Sequence, residues 1–402
     1  MNLKAEKLIQ LTFLFLFICL LSLEFLKITN FILDKLFYRV TPLFADLITI
    51  IPSIEELGKL GISTKGKISS IETMDRPMNY PILWVYVFDF LNNFINPINL
   101  FGYSQIFFYT VISIYFLFKV KKNFLIYFFI FFSPPVFLIF DRGNNDMFIF
   151  FLICLSVLNK KIISGLLIGI ASALKVYPLF LVPIIFILKK DKLYFTVGII
   201  TSLPIIIFTF LQINIFIENT SISFSSSFGI ITMALFINKI LSFFVINQIP
   251  LQYLIIFSFL LFLSLLYLFN FFFKKILQNI TKEIQISDRR AEIFIIFTSL
   301  SLFIFTIFSS WAYRIIFLIP STYIILNCVN LKSKTTKLKE IILMLIVSSP
   351  FISTWLLFPT TNILLNHYIW AFYAPIVFIS MALYSLILFY LIKAKYKLFI
   401  KE

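Results

Sequence analysis

"LLIGIASALKVYPLFLVPIIFILKK" occupies residues 166–190, and it is nearly pure hydrocarbon. Lys175 stands in its middle, followed by Val176, Tyr177 and Pro178. A lysine near the centre of a bilayer costs about 2.5–3.5 kcal/mol on insertion scales. The apolar runs on either side are short for a hydrocarbon core about 30 Å thick. Proline removes a backbone N–H and breaks a helix at such a point. The stretch is therefore expected to form an in-and-out pair, with spans at 162–175 and 178–188 and an apex at Lys175–Pro178. At that apex Lys175 lines a cavity opening outward instead of facing lipid.

The rest of the chain fits this reading. Of its 402 residues 61% are hydrophobic and 13% charged, against about 25% charged in soluble proteins. Apolar runs recur along the whole length, separated by lysine-rich or polar breaks. The expected fold class is an all-α polytopic membrane protein. It is a bundle of about twelve transmembrane helices with outer-face loops and juxtamembrane helices. Two further apolar stretches, 82–95 and 229–246, are assigned to the outer face, because counting them as spans would put lysine-rich loops on opposite sides. The expected organisation is one integral membrane domain over residues 1–402. It has a first outer loop at about 27–99, an outer-face segment at about 213–249 and a cytoplasmic linker at about 274–290. The N-terminus, MNLKAEK before an apolar run, reads as an uncleaved first span. Both termini are expected in the cytoplasm of a multi-pass protein of the cell (inner) membrane.

The net charge of +16 is explained by lysine-rich inner segments, so no nucleic-acid partner is needed. Cys19, Cys154 and Cys328 all lie in apolar runs at spacings that fit no metal or redox motif, and the single His367 cannot build a histidine site. With so few clustered carboxylates, neither a metal nor a cofactor is expected. The sequence is silent on oligomeric state.

Polar residues gather on the expected outer face in four clusters. "TPLFADLITIIPSIEELGKLG" (41–61) carries Asp46, Glu55 and Glu56. "ETMDRPMNYPILW" (72–84) carries Asp75, Arg76, Asn79 and Tyr80. "DRGNNDMF" (141–148) carries Asp141, Arg142, Asn144, Asn145 and Asp146, and "SSWAYRIIFLIP" (309–320) carries Tyr313 and Arg314. Scattered cations at a membrane surface suit a phosphate or pyrophosphate. Isolated carboxylates suit a general base, and Asn and Asp suit a hydroxyl-rich ligand such as a sugar. Each residue also has a plainer role to weigh. Asp46 would N-cap the helix starting at Leu47, and Asp141 and Asp146 would cap the next span and pair with Arg142. Lys175 would snorkel or pair with a carboxylate, and Arg314 would neutralise one. Tyr80 and Trp84 would be interfacial aromatics.

"DRGNND" opening one span, then "SGLLIGIASALKVYPLFLVPIIFILKK" (164–190), resembles glycosyltransferase family 87. In that family a Gly-polar-x-Asn loop precedes a span, and a small-residue-rich helix ends in Ala-x-x-x-Lys-x-x-Pro-Leu. Here those are Gly143 to Asp146, then Ala171 to Lys175, Pro178 and Leu179. "RPMNYPILW" resembles the family's Tyr-Pro-Pro-Leu segment, with Ile82 for the second proline. "FADL" (44–47) resembles the Asp-bearing start of the first outer loop, and "YRIIFLIP" the late Tyr…Pro stretch. Asn144 stands where the family often has Gln, and Asp146 where it often has Asn.

The resemblance implies a GT-C-like bundle. It implies a membrane-embedded glycosyltransferase that moves a hexose, mannose by family default, from a polyprenyl-phosphate donor. The acceptor is a lipid or glycan on the outer, periplasmic face, and transfer proceeds with inversion. The implied partners are membrane lipids, a polyprenyl-phosphate-linked sugar and a glycolipid or glycan acceptor, with the lipid-linked sugar as substrate. Asp46 takes the base role, with Asp75 and Glu55 in reserve. Lys175, Arg314, Arg76 and Arg142 are assigned to the donor phosphate. Asn79, Tyr80, Asp141, Asn144, Asn145, Asp146, Tyr177 and Tyr313 are assigned to sugar or acceptor. Two other classes compete: a flippase or transporter of lipid-linked sugars, and a polymerase or ligase of surface polysaccharide. The first predicts internal repeats and midplane polar residues, and the second a very large outer loop late in the chain.

Overall fold

The computed structural model describes residues 44–48, 82–120, 124–159, 161–188, 192–211, 227–243, 249–285, 287–307, 310–329, 337–357 and 372–399. A single turn, α1 (Ala45–Ile48), is followed by α2 (Ile82–Asn92), α3 (Pro97–Lys119), α4 (Phe124–Phe131), α5 (Pro134–Arg142), α6 (Asp146–Leu158) and α7 (Lys161–Leu174). A 3-10 turn (Tyr177–Phe180) leads into α8 (Leu181–Leu188) and α9 (Lys192–Phe210). Then come β1 (Ser227–Phe228), α10 (Ile230–Phe243), α11 (Leu251–Gln285) and α12 (Asp288–Ile307). Last are β2 (Ser310–Trp311), a second 3-10 turn (Ala312–Leu318), α13 (Ile319–Cys328), α14 (Lys337–Leu357) and α15 (Tyr373–Phe399). The described fold is helical apart from β1 and β2, which pair antiparallel with Ser227 opposite Trp311.

Among the described residues seven helical stretches are long and apolar enough to cross a membrane, and five shorter apolar helices accompany them. The chain is a membrane protein by this measure, but length does not settle a count of twelve spans. The expected first span, 8–26, lies outside the described residues. The candidate span at Phe124–Arg142 is built of two helices, because Pro134 and Pro135 restart the chain after Ser133. Within the stretch 229–246, Ile230–Phe243 form the 14-residue α10, too short to span alone. The expected linker at 274–290 is helical through Gln285, so α11 runs about 52 Å at 1.5 Å per residue and outreaches a bilayer core.

Packing fixes the direction of each helix. α7 and α9 meet through small residues: a Cβ on Gly165 would overlap the Phe195 carbonyl, one on Gly169 the Ser202 side chain, and one on Gly198 the Ile162 carbonyl. Close backbone approach of this kind is how helices associate where no hydrophobic force acts between them. Residue numbers rise together along the seam, and Thr209 Oγ1 reaches the Ala173 carbonyl at 2.8 Å. The two helices are therefore parallel, and α8 must run back between them. That is the hairpin expected from the sequence, with its apex at Lys175–Pro178. α6 and α7 are antiparallel neighbours, joined by Ser156 and Ser164, each donating to the other's carbonyl at 2.8 Å. The C-terminal end of α5, the start of α6 and the end of α7 consequently lie at one end of the bundle. The 3-10 turn carrying Arg314, which follows α12, joins them there.

Candidate active site

Gly143 decides the local path. Its φ of +60° ends α5. The Gly143 N–H donates to the Phe140 carbonyl and the Asn144 N–H to the Ile139 carbonyl, both at 3.0 Å. This is a Schellman ending, for which glycine is the residue without a steric penalty. A Cβ there would also come within 2.9 Å of Leu47. The tight turn sets Arg142 and Asn144 toward Asp46 and Asp146 toward the end of α7 within a few residues.

α1 docks onto this turn from far away in the chain. Phe44 donates its N–H to the Asp141 carbonyl at 2.6 Å. Phe44 itself has a φ of +63°, a conformation that costs a non-glycine residue roughly 1–2 kcal/mol. Its ring offsets this by burial: it packs flat onto Gly102, where a Cβ would intrude, and edge-on to Tyr103 at 5.2 Å. The reward is the placement of Asp46 two residues on. Asp46 lies inside the turn rather than at an N-cap, and its carboxylate faces Arg142 and Asn144. Arg142 donates from Nη2 to Oδ1 at 2.7 Å and from Nε at 3.0 Å to both oxygens. Asn144 donates from Nδ2 to Oδ2 at 2.5 Å. Asn144 also accepts the Asp146 N–H on its Oδ1 at 2.9 Å, which caps the start of α6. One amide thus ties both carboxylate-bearing segments together.

Asp146 is fully buried. Lys175 Nζ lies 2.6 Å from its Oδ1 and Arg314 Nε 3.1 Å from its Oδ2. The Tyr177 hydroxyl donates to Oδ1 at 2.7 Å, and the Arg314 guanidinium sits 5.8 Å from the centre of the Tyr177 ring. Arg142 therefore pairs with Asp46, and Lys175 and Arg314 share Asp146. The expectation that Arg142 would pair with its neighbours Asp141 or Asp146 is corrected: the Gly143 turn sends Asp146 the other way, toward α7. Asp46 remains within electrostatic reach of Lys175.

Lys175 is held where α7 stops. Carbonyls in the last turn of a helix have no partner within it. The Trp84 indole N–H donates to the Leu174 carbonyl at 3.3 Å, and Thr209 meets that of Ala173. Trp84 is 1% exposed, ringed by Phe88, Phe101 and Phe148, and is a capping group instead of an interfacial aromatic.

The structure thus brings Asp46, Asp141, Arg142, Asn144, Asn145, Asp146, Lys175, Tyr177 and Arg314 to one end of the bundle. Asn145 is fully buried, and neither atom of its amide has a hydrogen-bond partner among the described residues. Tyr313 contributes backbone to the 3-10 turn before Arg314. Glu55, Asp75, Arg76, Asn79 and Tyr80 lie outside the described residues. Phe44, Gly102, Trp84 and Thr209 support the site without charge, and only an aromatic or small residue in an apolar run hinted at them. Among the described residues no group of three His, Cys, Asp or Glu is placed to hold a metal ion.

No curated protein and no solved structure matches the chain. A family model does, over a stretch that contains the Asp141–Asp146 turn and the Lys175–Pro178 apex but neither Asp46 nor Arg314. Residues 101–269 match Glycosyltransferase family 87, the family that the Gly143 turn and the Lys175 block resemble.

Proposed function

We propose that the chain is a membrane-embedded glycosyltransferase that takes a hexose, mannose by family default, from a polyprenyl-phosphate donor and passes it with inversion to a glycolipid or glycan. The family match supports the transferase class. One observation carries the donor: two cations, Lys175 and Arg314, converge on the single carboxylate of Asp146 beside a helix break. Among these three described side chains, two are cationic and one is anionic. A sugar phosphodiester carries one negative charge, and the monoester that leaves carries close to two. Cations fixed beside the departing phosphate favour the transition state in which this second charge develops.

Asp46 is the base. The acceptor oxygen attacks the anomeric carbon while its proton passes to the Asp46 carboxylate. The bond from that carbon to the phosphate oxygen breaks, and the lipid phosphate departs with the electron pair. A single displacement inverts the anomeric centre. Arg142 and Asn144 fix the plane of the Asp46 carboxylate, and the unpartnered Asn145 amide reads a sugar hydroxyl. The lysine-rich segments expected on the inner side support an outward orientation for this end of the bundle.

The test is transfer of label from radiolabelled polyprenyl-phosphate sugars to membrane lipids, in right-side-out and inverted vesicles. Wild type is run beside Asp46→Asn and Lys175→Ala. Transfer should need an outward-facing site, and Asp46→Asn should lower it about 10²- to 10⁴-fold at saturating donor. Movement of labelled lipid between leaflets with no transfer would make the protein a flippase. Full transfer by Asp46→Asn would remove Asp46 from the mechanism.

A further inference from the structure

At the opposite end of the bundle, α11 and α15 leave a groove between them. Its volume is about 530 Å³, and Asn270, Lys274, Gln278, Tyr390 and Lys393 supply its polar lining. That size lies within the range of small-molecule sites, roughly 300–1,000 Å³. The Tyr390 hydroxyl donates to Asn270 Oδ1 at 2.6 Å, which joins the two helices across the floor. Neither Lys274 nor Lys393 has an ion-pair partner among the described residues. Lys339, at the start of α14, reaches the Phe272 carbonyl at 3.4 Å and adds a third cation beside the groove.

The depth of the groove is fixed by the helices. α11 exposes Leu263, Tyr267 and Phe271, and α15 exposes Phe389, all on the way to the lysines. Lys274 comes 23 residues after Leu251, a rise of about 35 Å, so it stands at the edge of a hydrocarbon core about 30 Å thick. An apolar wall that runs into a pair of unpaired lysines matches a molecule with chains below and an anion above. We propose that this groove binds the headgroup of an anionic phospholipid. Its phosphate sits between Lys274 and Lys393, its headgroup hydroxyls meet Gln278, and its acyl chains follow Tyr267 and Phe271. Charge complementarity selects this occupant over a neutral lipid. The site is separate from the carboxylate end and does not rest on the proposed transferase reaction.

The test uses the full chain in detergent with short-chain phosphatidylglycerol, short-chain phosphatidylcholine and glycerol 3-phosphate as probes. Binding is read by native mass spectrometry and by the rise in unfolding temperature. Phosphatidylglycerol should bind and stabilise, and the other two should not. Lys274→Gln with Lys393→Gln should weaken it roughly 20- to 30-fold. Lys275→Gln, which lies outside the groove, should bind like wild type and report that the fold survives. Equal binding of phosphatidylcholine, competition by glycerol 3-phosphate, or wild-type affinity in the double variant would each overturn the proposal. A shift of oligomeric mass in the double variant with lipid affinity unchanged would assign the groove to a contact between copies, and would overturn it as well.

Discussion

Asp46 and Asp146 sit on either side of the same turn, and they are held by opposite means. Asp46 comes from a four-residue turn that docks across the chain, and a bidentate arginine and an amide grip its edge. Asp146 opens a helix, is fully enclosed, and carries two cations and a tyrosine on its oxygens. Among the described residues the first carboxylate has one ion-pair partner and 9% of its side chain exposed; the second has two and none. A group that must take a proton needs an approach, whereas a group that organises cations needs burial. Under the proposed reaction the difference divides the labour, with Asp46 as the base and Asp146 as the group that positions the cations.

The sharpest way to break that division is to remove each carboxylate. Asp146→Ala leaves Lys175 and Arg314 facing each other in a site with little water. Breaking a buried pair by deleting one partner costs about 3–5 kcal/mol. Asp146→Ala should therefore lower the unfolding temperature steeply and abolish transfer together with donor binding. Asp46→Ala should cost less stability, since Arg142 is the one described cation that loses a carboxylate and the Asn144 amide is neutral, while donor binding persists and turnover stops. Thermal unfolding in detergent, set beside donor binding to each variant, separates the two. Equal loss of stability in both variants would erase the distinction between them.

A smaller effect tests whether α7 must be fixed for Lys175 to reach Asp146. Gly198→Ala puts a methyl group against the Ile162 carbonyl and the Leu166 N–H of α7. These are backbone atoms, so the helices must part, at a cost of about 1–3 kcal/mol. Because α7 carries Lys175 at its end, donor KM should rise while kcat changes less. Unfolding and KM like those of wild type would show that the seam does not position the lysine.

Much of the site was legible because charge in an apolar sequence is conspicuous. Lys175, Asp146, Arg142 and Arg314 stand out in their runs, and the Pro178 break announced the apex. Pairing was not legible. Arg142 meets Asp46 across 96 positions and Arg314 meets Asp146 across 168, and nothing local distinguishes those partners from nearer ones. The small residues of α7 were visible, but their partners Gly198 and Ser202 belong to a helix whose direction depends on α8 turning back. The span count is unsettled where helices are short or interrupted, because hydropathy records apolar length and says little of where Ser133 and two prolines cut it.

The mildest change probes how the end of α7 is held. Trp84→Phe keeps an aromatic ring among Phe88, Phe101 and Phe148 but removes the N–H that meets the Leu174 carbonyl. A hydrogen bond of this kind contributes about 0.5–1.5 kcal/mol. The loss should be readable as a small fall in unfolding temperature and a modest rise in donor KM. Thr209→Val removes the hydroxyl at the neighbouring Ala173 carbonyl and should act alike. The two groups hold consecutive carbonyls of one helix end, so either alone leaves the end partly capped. Removing both frees it, and the double variant should lose more than the sum of the singles, as coupled neighbours do. Strict additivity would mean that Trp84 and Thr209 act as independent packing residues. In that case the position of Lys175 rests on Asp146 and the glycine seam alone.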